Sequence, residues 1–333
     1  IIDAGNIPQV IAISTKRILK KSIYLTLNRL VAGFLAKYVS QKCAYKFLFR
    51  NIKLNRKWNV AVSFGQTTKN SLYGGMNEFV LDCVCADKKI AFVHCDVAAT
   101  NINNSYSNDI YKNFDKIALV SESLKHLFDE SMPLLKNKTS VVYNCHNFKK
   151  IQELANENPV VYEKKFLNFI TVARFSNEKG LLRVLPILSR LKKEGLFFKW
   201  NVVGGGDLAY QENFMRLAKK LEVDSDVVCF GSQVNPYRYM KNADVLLVPS
   251  YHEAAPMVFQ EAEYLHLPVL STQTCSAEEL VSERKIGVVC DNSEQAIYED
   301  MRNFIVNYDS FEFAFSQSMS NALAVKQFED LLK

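Results

Sequence analysis

The chain has 333 residues, 48% of them hydrophobic and 23% charged, with a formal net charge of +6. That length suits two domains of ordinary size, and the composition excludes a disordered chain. Eight scattered cysteines exclude a short disulfide scaffold and point to reduced thiols in a cytoplasmic protein, while no apolar run reaches the roughly 18–20 residues of a membrane span.

The charge is uneven. Residues 1–60 hold twelve bases, from Lys16, Arg17, Lys20 and Lys21 to Arg56 and Lys57, against Asp3 as their only acid, so this stretch carries about +11 and the rest about −5. Tyr24, Leu27, Val31, Phe34, Tyr38, Phe47 and Phe49 are interleaved with these bases. A basic helix pair with an apolar face predicts contact with an anionic membrane surface through residues 16–57. An ordinary solvated basic face is the plainer reading of the same residues. No base-reading module is visible, so no nucleic-acid partner is expected. The first residue is Ile1, which sets the expectation that the natural start lies upstream.

The next segments read as strands separated by helical stretches: NVAVSF, KIAFVH, KIALVS and SVVY. Cys83, Cys85, His94 and Cys95 cluster in sequence, but adjacent His-Cys ligands point apart on a strand and the usual zinc spacer is absent. No metal is expected. A polar stretch between Asn147 and Lys165, with Asn156-Glu157-Asn158-Pro159, reads as a linker. From Phe166 the alternation is regular: FLNFITV, FFKWNVV, VVCF, VLLVPS, PVLST and GVVC, with helical stretches between them. Short buried strands alternating with helices predict parallel sheets covered on both faces. In such sheets ligands bind beyond the carboxyl ends of the strands.

Those strand ends carry the candidate chemistry. ARFSNEKG places Arg174 and Lys179 in a loop entering a helix, where two cations make an anion site; taken alone, such a pair is more often two solvated loop charges. Gly204 and Gly205 in NVVGGGD allow a tight turn and close backbone approach, although the dinucleotide spacing is missing. Gly231 frees the backbone again in FGSQVNPY, ahead of Gln233 and Pro236. In SYHEAAPMVFQEAEYLHLPVL, Glu253 and Glu261 stand eight residues apart around Pro256. Pro256 suits the first turn of a helix, which would turn the N–H groups of Met257 and Val258 outward toward an anion. Carboxylates that only accept hydrogen bonds grip vicinal hydroxyls, so an anion site flanked by two of them fits a nucleotide sugar.

Taken in this order, ARFSNEKG, VVGGGDL, FGSQVNPY, EAAPMVFQE and LPVLST, with SFGQTTK, FVHCD, ALVSESLKHLF and VVYN before them, resemble a bacterial retaining glycosyltransferase of family 4. The resemblance implies the GT-B architecture: two Rossmann-like domains with doubly wound parallel sheets facing a central cleft. Residues 1–147 would form the acceptor-side domain, completed by a carboxy-terminal helix over 314–333, and residues 148–313 the nucleotide-sugar domain. It also implies site roles. Arg174 and Lys179, with the backbone at Pro256, Met257 and Val258, would bind the donor diphosphate, and Glu261 the ribose. Glu253, Ala254 and Ala255 would meet the transferred sugar, with His94 facing it from the other domain. Gly231, Gln233 and Pro236 would lie on the nucleobase side, Gly204 and Gly205 beside the donor. Asp96 would orient His94 or support its loop.

Two departures stand out. The family usually has glycine where Ala254 or Ala255 stands, and its first strand and Gly-rich loop have no counterpart here. The amino-terminal domain is therefore expected to be truncated. The implied function is transfer of a hexose or N-acetylhexosamine, from a UDP-sugar by preference, to a glycan or lipid-linked acceptor in cell-surface polysaccharide synthesis. Configuration would be retained, without metal or cofactor, by a peripheral protein on the inner face of the plasma membrane. A catalytically silent nucleotide-sugar-binding partner and a GT-B epimerase remain as alternatives.

Overall fold

The computed structural model describes residues 23–52, 54–67, 75–97, 99, 100, 102–316 and 318–333. Lys16, Arg17, Lys20 and Lys21 lie outside the described residues. The chain forms two compact units, Ile1–Tyr143 with Leu323–Lys333, and Asn144–Ala322.

In the first unit α1 (Ile23–Tyr38) and α2 (Gln41–Phe49) pack together through Leu25, Ala32, Ala44, Tyr45, Leu48 and Phe49. Ser40 caps α2 by accepting the Cys43 N–H at 3.1 Å. Ile23, Leu27, Leu30, Phe34 and Tyr38 remain exposed. Their spacing of three and four residues sets them in one stripe along α1. Strands β1 (Lys57–Ser63), β2 (Cys85–Val93), β3 (Lys116–Leu119) and β4 (Thr139–Val141) form a parallel sheet in the order β1-β2-β3-β4. Helices α3 (Met76–Cys83), α4 (Ser105–Tyr111) and α5 (Glu122–Ser131) alternate with the strands. The apolar run Ile90–Val93 is buried throughout, as a strand covered on both faces requires.

The second unit begins with α6 (Phe148–Ala155), which occupies much of the stretch read as a linker. The strands and α-helices that follow are β5 (Leu167–Val172), α7 (Leu181–Lys193), β6 (Phe198–Val203), α8 (Leu208–Lys220), β7 (Val227–Gly231), α9 (Tyr237–Met240), β8 (Val245–Val248), α10 (Met257–Tyr264), β9 (Val269–Thr272) and β10 (Gly287–Cys290). Helix α11 (Glu294–Asn307) completes the set. All pairings are parallel, in the order β10-β9-β8-β5-β6-β7.

Strand alternation sorts the core into two layers. Phe169, Trp200, Val202, Val245, Leu247 and Leu270 pack with α7, α8 and α11. Their neighbours Ile170, Val203, Leu246, Val248 and Val269 pack with α6, α9 and α10. Each such side chain contributes about 1.5–3 kcal/mol on burial. The Trp200 indole donates to Thr171 Oγ1 at 3.0 Å, so this largest core residue leaves no buried donor unpaired. Strand order reverses between β5 and β8, and that switch point is where a doubly wound sheet opens a crevice.

The chain returns to the first unit later than the sequence suggests, at 322/323 instead of 313/314. The aromatic residues of 311–315 explain the delay. Phe311 stacks on Phe304 at 4.4 Å, Phe313 packs against Phe311, and Phe315 lies on His266 at 5.3 Å. Only the last helix, α12 (Ala322–Leu332), joins the first core, where Phe328 and Leu331 meet Ile90, Phe92 and Val142. Lys88 Nζ donates to the Leu332 carbonyl at 2.8 Å and fixes its end.

Candidate functional site

A pocket of about 320 Å³ opens at the switch point, lined by the ends of β5 and β8, Lys179, Ser250, Glu253 and the start of α10 with Glu261. Its first wall follows β5. Ala173 N–H donates to Val203 O at 3.0 Å and Phe175 N–H to Gly205 O at 2.8 Å, which laces this loop to the one after β6. Gly204 has φ +153°, and a Cβ there would meet Ala173 O at 1.8 Å, so the close approach requires glycine. A 3₁₀ turn, Asn177–Lys179, then leads through Gly180 into α7. Gly180 has φ +65°, and a Cβ would meet Pro249 O at 1.9 Å. The two loops thus come close enough for Lys179 to reach Glu253.

Lys179 Nζ lies 2.6 Å from Glu253 Oε1, and the Ser250 hydroxyl donates to the same oxygen at 2.7 Å. Both ionic side chains are largely shielded, at 21% and 13% exposure. Arg174 goes elsewhere. Its guanidinium is exposed and pairs with Glu178 at 3.3 Å, away from the lining of the pocket.

The second wall is the loop Pro249–Pro256, whose main chain is fastened at Pro249, Ser250, Tyr251, Ala254 and Ala255. Buried Arg183 donates to Pro249 O at 2.9 and 2.6 Å, to Ser250 O at 3.0 Å and to Asn292 Oδ1 at 2.7 Å. Asn292 in turn donates to Tyr251 O at 3.0 Å, and Thr272 Oγ1 to Ser250 O at 2.6 Å. The Ser276 hydroxyl bonds to Ala254 O, and Asn144 Nδ2 reaches Ala255 O at 3.4 Å. Burial holds the Arg183 pKa below its ordinary value, and the ring of carbonyls around it favours the charge.

Pro256 caps α10 instead of filling its first turn. Its ψ of 123° is extended, and its carbonyl accepts the Phe259 N–H at 3.2 Å. Met257 is therefore the first helical residue, and Met257 and Val258 line the pocket at the positive end of the helix. Glu261 follows one turn on and accepts the Tyr237 hydroxyl at 3.0 Å. Burial raises the Glu261 pKa, against the lowering effect of that bond, and Tyr237 is pushed up to about 12 by burial and by Glu261.

The remaining expected residues stand apart from this lining. Gly231 ends β7, and Gly205, Gln233 and Pro236 lie in the loops after β6 and β7, with Gly204 N–H bonded to Gly231 O at 2.8 Å and Gln233 to Phe230 O at 2.6 Å. His94 belongs to the first unit, just past β2. It is solvent-accessible, yet its ring stacks on Phe92 at 5.7 Å and Phe64 at 5.9 Å. This partial desolvation holds its pKa below the ordinary value. The Asp96 carboxylate accepts the Ala99 N–H at 3.2 Å and so shapes the loop after His94. Cys85 and His94 stand at opposite ends of β2, about 30 Å apart at strand rise. Among the described residues no three His, Cys, Asp or Glu side chains form a metal-holding group.

Sequence reasoning assigned no role to Ser250, Tyr237, Arg183 or Asn292. Arg183 sits at the edge of the apolar face of α7, where an arginine ordinarily reads as a stem lying on the core with its head in water. The sequence gives no sign that this head is buried.

Residues 152–317 match the family described as glycosyl transferases group 1. An uncharacterized glycosyltransferase of Methanocaldococcus jannaschii is 30% identical over 169 residues, 49% of this chain and 40% of that protein. The capsular polysaccharide biosynthesis glycosyltransferase CapH of Staphylococcus aureus is 30% identical over 146 residues, 43% of this chain and 38% of that protein. The matches thus span about two fifths of these relatives. Among solved structures, sucrose-phosphate synthase of Thermosynechococcus elongatus superposes with a TM-score of 0.63 at 14% identity, over 94% of this chain and 75% of that one. Anabaena HepE in complex with UDP gives 0.54 at 15% identity, over 73% and 67%. The two parallel-sheet α/β units have the GT-B fold, and residues 152–317, which contain every residue lining the pocket, are the part of the chain that matches the glycosyl transferases group 1 domain.

Proposed function

We propose that the protein is a retaining glycosyltransferase of family 4. It moves a hexose or N-acetylhexosamine from a nucleotide sugar, a UDP-sugar by preference, to a glycan or lipid-linked acceptor in cell-surface polysaccharide synthesis. The observation that carries this reading is the juxtaposition of Lys179, the amino-terminal end of α10 and the carboxylates Glu253 and Glu261 around one pocket. Such a pocket offers positive potential for a diphosphate and acceptors for hydroxyls on either side of it. The names of relatives in capsule, amylovoran and lipopolysaccharide synthesis support the pathway class, and the UDP-bound neighbour supports the base.

In this reading Lys179 and the Met257 and Val258 amides hold the diphosphate, with Arg174 swinging from Glu178 to join them. Glu261 holds the ribose, and Glu253 with the backbone at Ala254 and Ala255 reads the sugar. Gly231, Gln233 and Pro236 lie toward the base, and Gly204 and Gly205 beside the donor. The bond from the anomeric carbon to the diphosphate oxygen breaks as the acceptor hydroxyl bonds to the same face. The acceptor proton passes to the departing diphosphate. Lys179 and the helix end stabilise the leaving charge without a metal. The exposed stripe of α1 and the bases Lys37, Lys42 and Lys46 bring the protein to the anionic inner face of the plasma membrane.

Incubating the protein with UDP-, GDP- and ADP-sugars and scoring transfer or hydrolysis tests the reading. Turnover of one donor, lost in Lys179→Ala, supports it. Tight donor binding without turnover under any acceptor condition would indicate the silent partner.

A further inference from the structure

Resting on the donor-site reading, we infer that Glu253 is an internal stand-in for the donor diphosphate. It neutralises Lys179 until the diphosphate arrives and is released to the sugar when the diphosphate takes Lys179 over. Three observations carry this. Lys179 Nζ and the Ser250 hydroxyl converge on the single oxygen Glu253 Oε1, at 2.6 and 2.7 Å. The pair is shielded from water, so each charge depends on the other for solvation. The loop behind Glu253 is held by Arg183, Asn292, Thr272 and Ser276, so exchange needs only side-chain motion.

The consequence is a coupling between the two halves of the donor. A diphosphate reaching the end of α10 offers Lys179 a doubly charged partner, and the ammonium leaves Glu253 for it. The freed carboxylate then has unsatisfied acceptor capacity and takes sugar hydroxyls. A nucleoside diphosphate without a sugar displaces Glu253 and gives it nothing in return. The pocket therefore binds the product more weakly than Lys179 alone would, and recapture of Lys179 by Glu253 promotes its release.

This gives an unusual sign. Removing the Glu253 charge should strengthen UDP binding while weakening UDP-sugar binding. Isothermal titration with UDP and with the preferred UDP-sugar reads both. Glu253→Gln and Glu253→Ala are expected to bind UDP about three- to tenfold more tightly than the parent, the range a partly shielded ion pair allows. Both should bind the UDP-sugar more weakly. In a Lys179→Met background the gain from Glu253→Gln should vanish, since the two side chains then no longer compete. A Glu253 variant with parental melting temperature that binds UDP no tighter than the parent overturns the exchange. So does a gain that survives in Lys179→Met. A parent protein that binds none of UDP, GDP and ADP overturns the donor-site reading itself.

Discussion

Arg183→Met is the sharpest test of how the site is built. Arg183 makes four charge-assisted bonds, two to Pro249 O and one each to Ser250 O and Asn292 Oδ1, and its guanidinium lies 4.0 Å over the Tyr251 ring. Methionine keeps the apolar stem and removes every donor. Ser250 O retains the Thr272 hydroxyl, but among the described residues the side-chain bonds to Pro249 O come from Arg183, and a buried carbonyl left unpaired costs about 1–3 kcal/mol. Adding the lost charged bonds, the variant should lose about 3–5 kcal/mol of stability, in the range for breaking a buried ionic network. That corresponds to roughly 6–20 °C in melting temperature for a unit of this size. Urea unfolding followed by Trp200 fluorescence in a Trp58→Phe background reports this unit specifically. Arg183→Lys should recover part of the loss, because an ammonium cannot match the planar fork. At temperatures where the variant is folded, turnover should fall more than UDP affinity, since the loosened loop carries Glu253. A loss below about 1 kcal/mol, or unchanged turnover, would refute the claim that Arg183 organises the loop.

Gly180→Ala should cost more than about 1–2 kcal/mol and weaken UDP binding, because the positive φ and the contact with Pro249 O leave a Cβ no room; equal melting temperature would contradict this. The Glu261 carboxyl should titrate above the ordinary glutamate value by carbon NMR, and Tyr237→Phe should raise it further by removing the bond that favours the carboxylate. Because the folded pKa is raised, burial of Glu261 disfavours the folded state as pH rises through that pKa, and Glu261→Gln should abolish this loss in melting scans. The protein should sediment with anionic vesicles at low salt and release as salt rises; changing Lys37, Lys42 and Lys46 to Gln should weaken this without changing UDP affinity. A parent that stays in the supernatant at low salt makes the stripe of α1 something other than a lipid contact.

The sheets were legible because burial on both faces writes itself as short apolar runs. FLNFITV, FFKWNVV and VLLVPS fell on β5, β6 and β8 within a residue or two, and their ends located the crevice. Glycine and proline punctuation likewise announced the loops around Lys179 and Glu253. Side-chain direction was not legible. ARFSNEKG gives Arg174 and Lys179 equal standing, yet the turn after Ser176 sends one to solvent and the other 2.6 Å from Glu253. Arg183 was invisible for a related reason: its partners are carbonyls of residues nearly seventy positions away, and a carbonyl has no letter in a sequence. The domain boundary failed on Phe311, Phe313 and Phe315, whose alternate spacing reads as a strand or a linker but serves here to bind a returning chain to α11 and its neighbours. Each miss concerns which long-range partner a residue finds, and the Lys179–Glu253 pair shows why that matters. Two residues that family likeness casts as separate readers of phosphate and sugar are each other's ion-pair partners, and under the inferred exchange the affinity of either for its ligand depends on the other letting go.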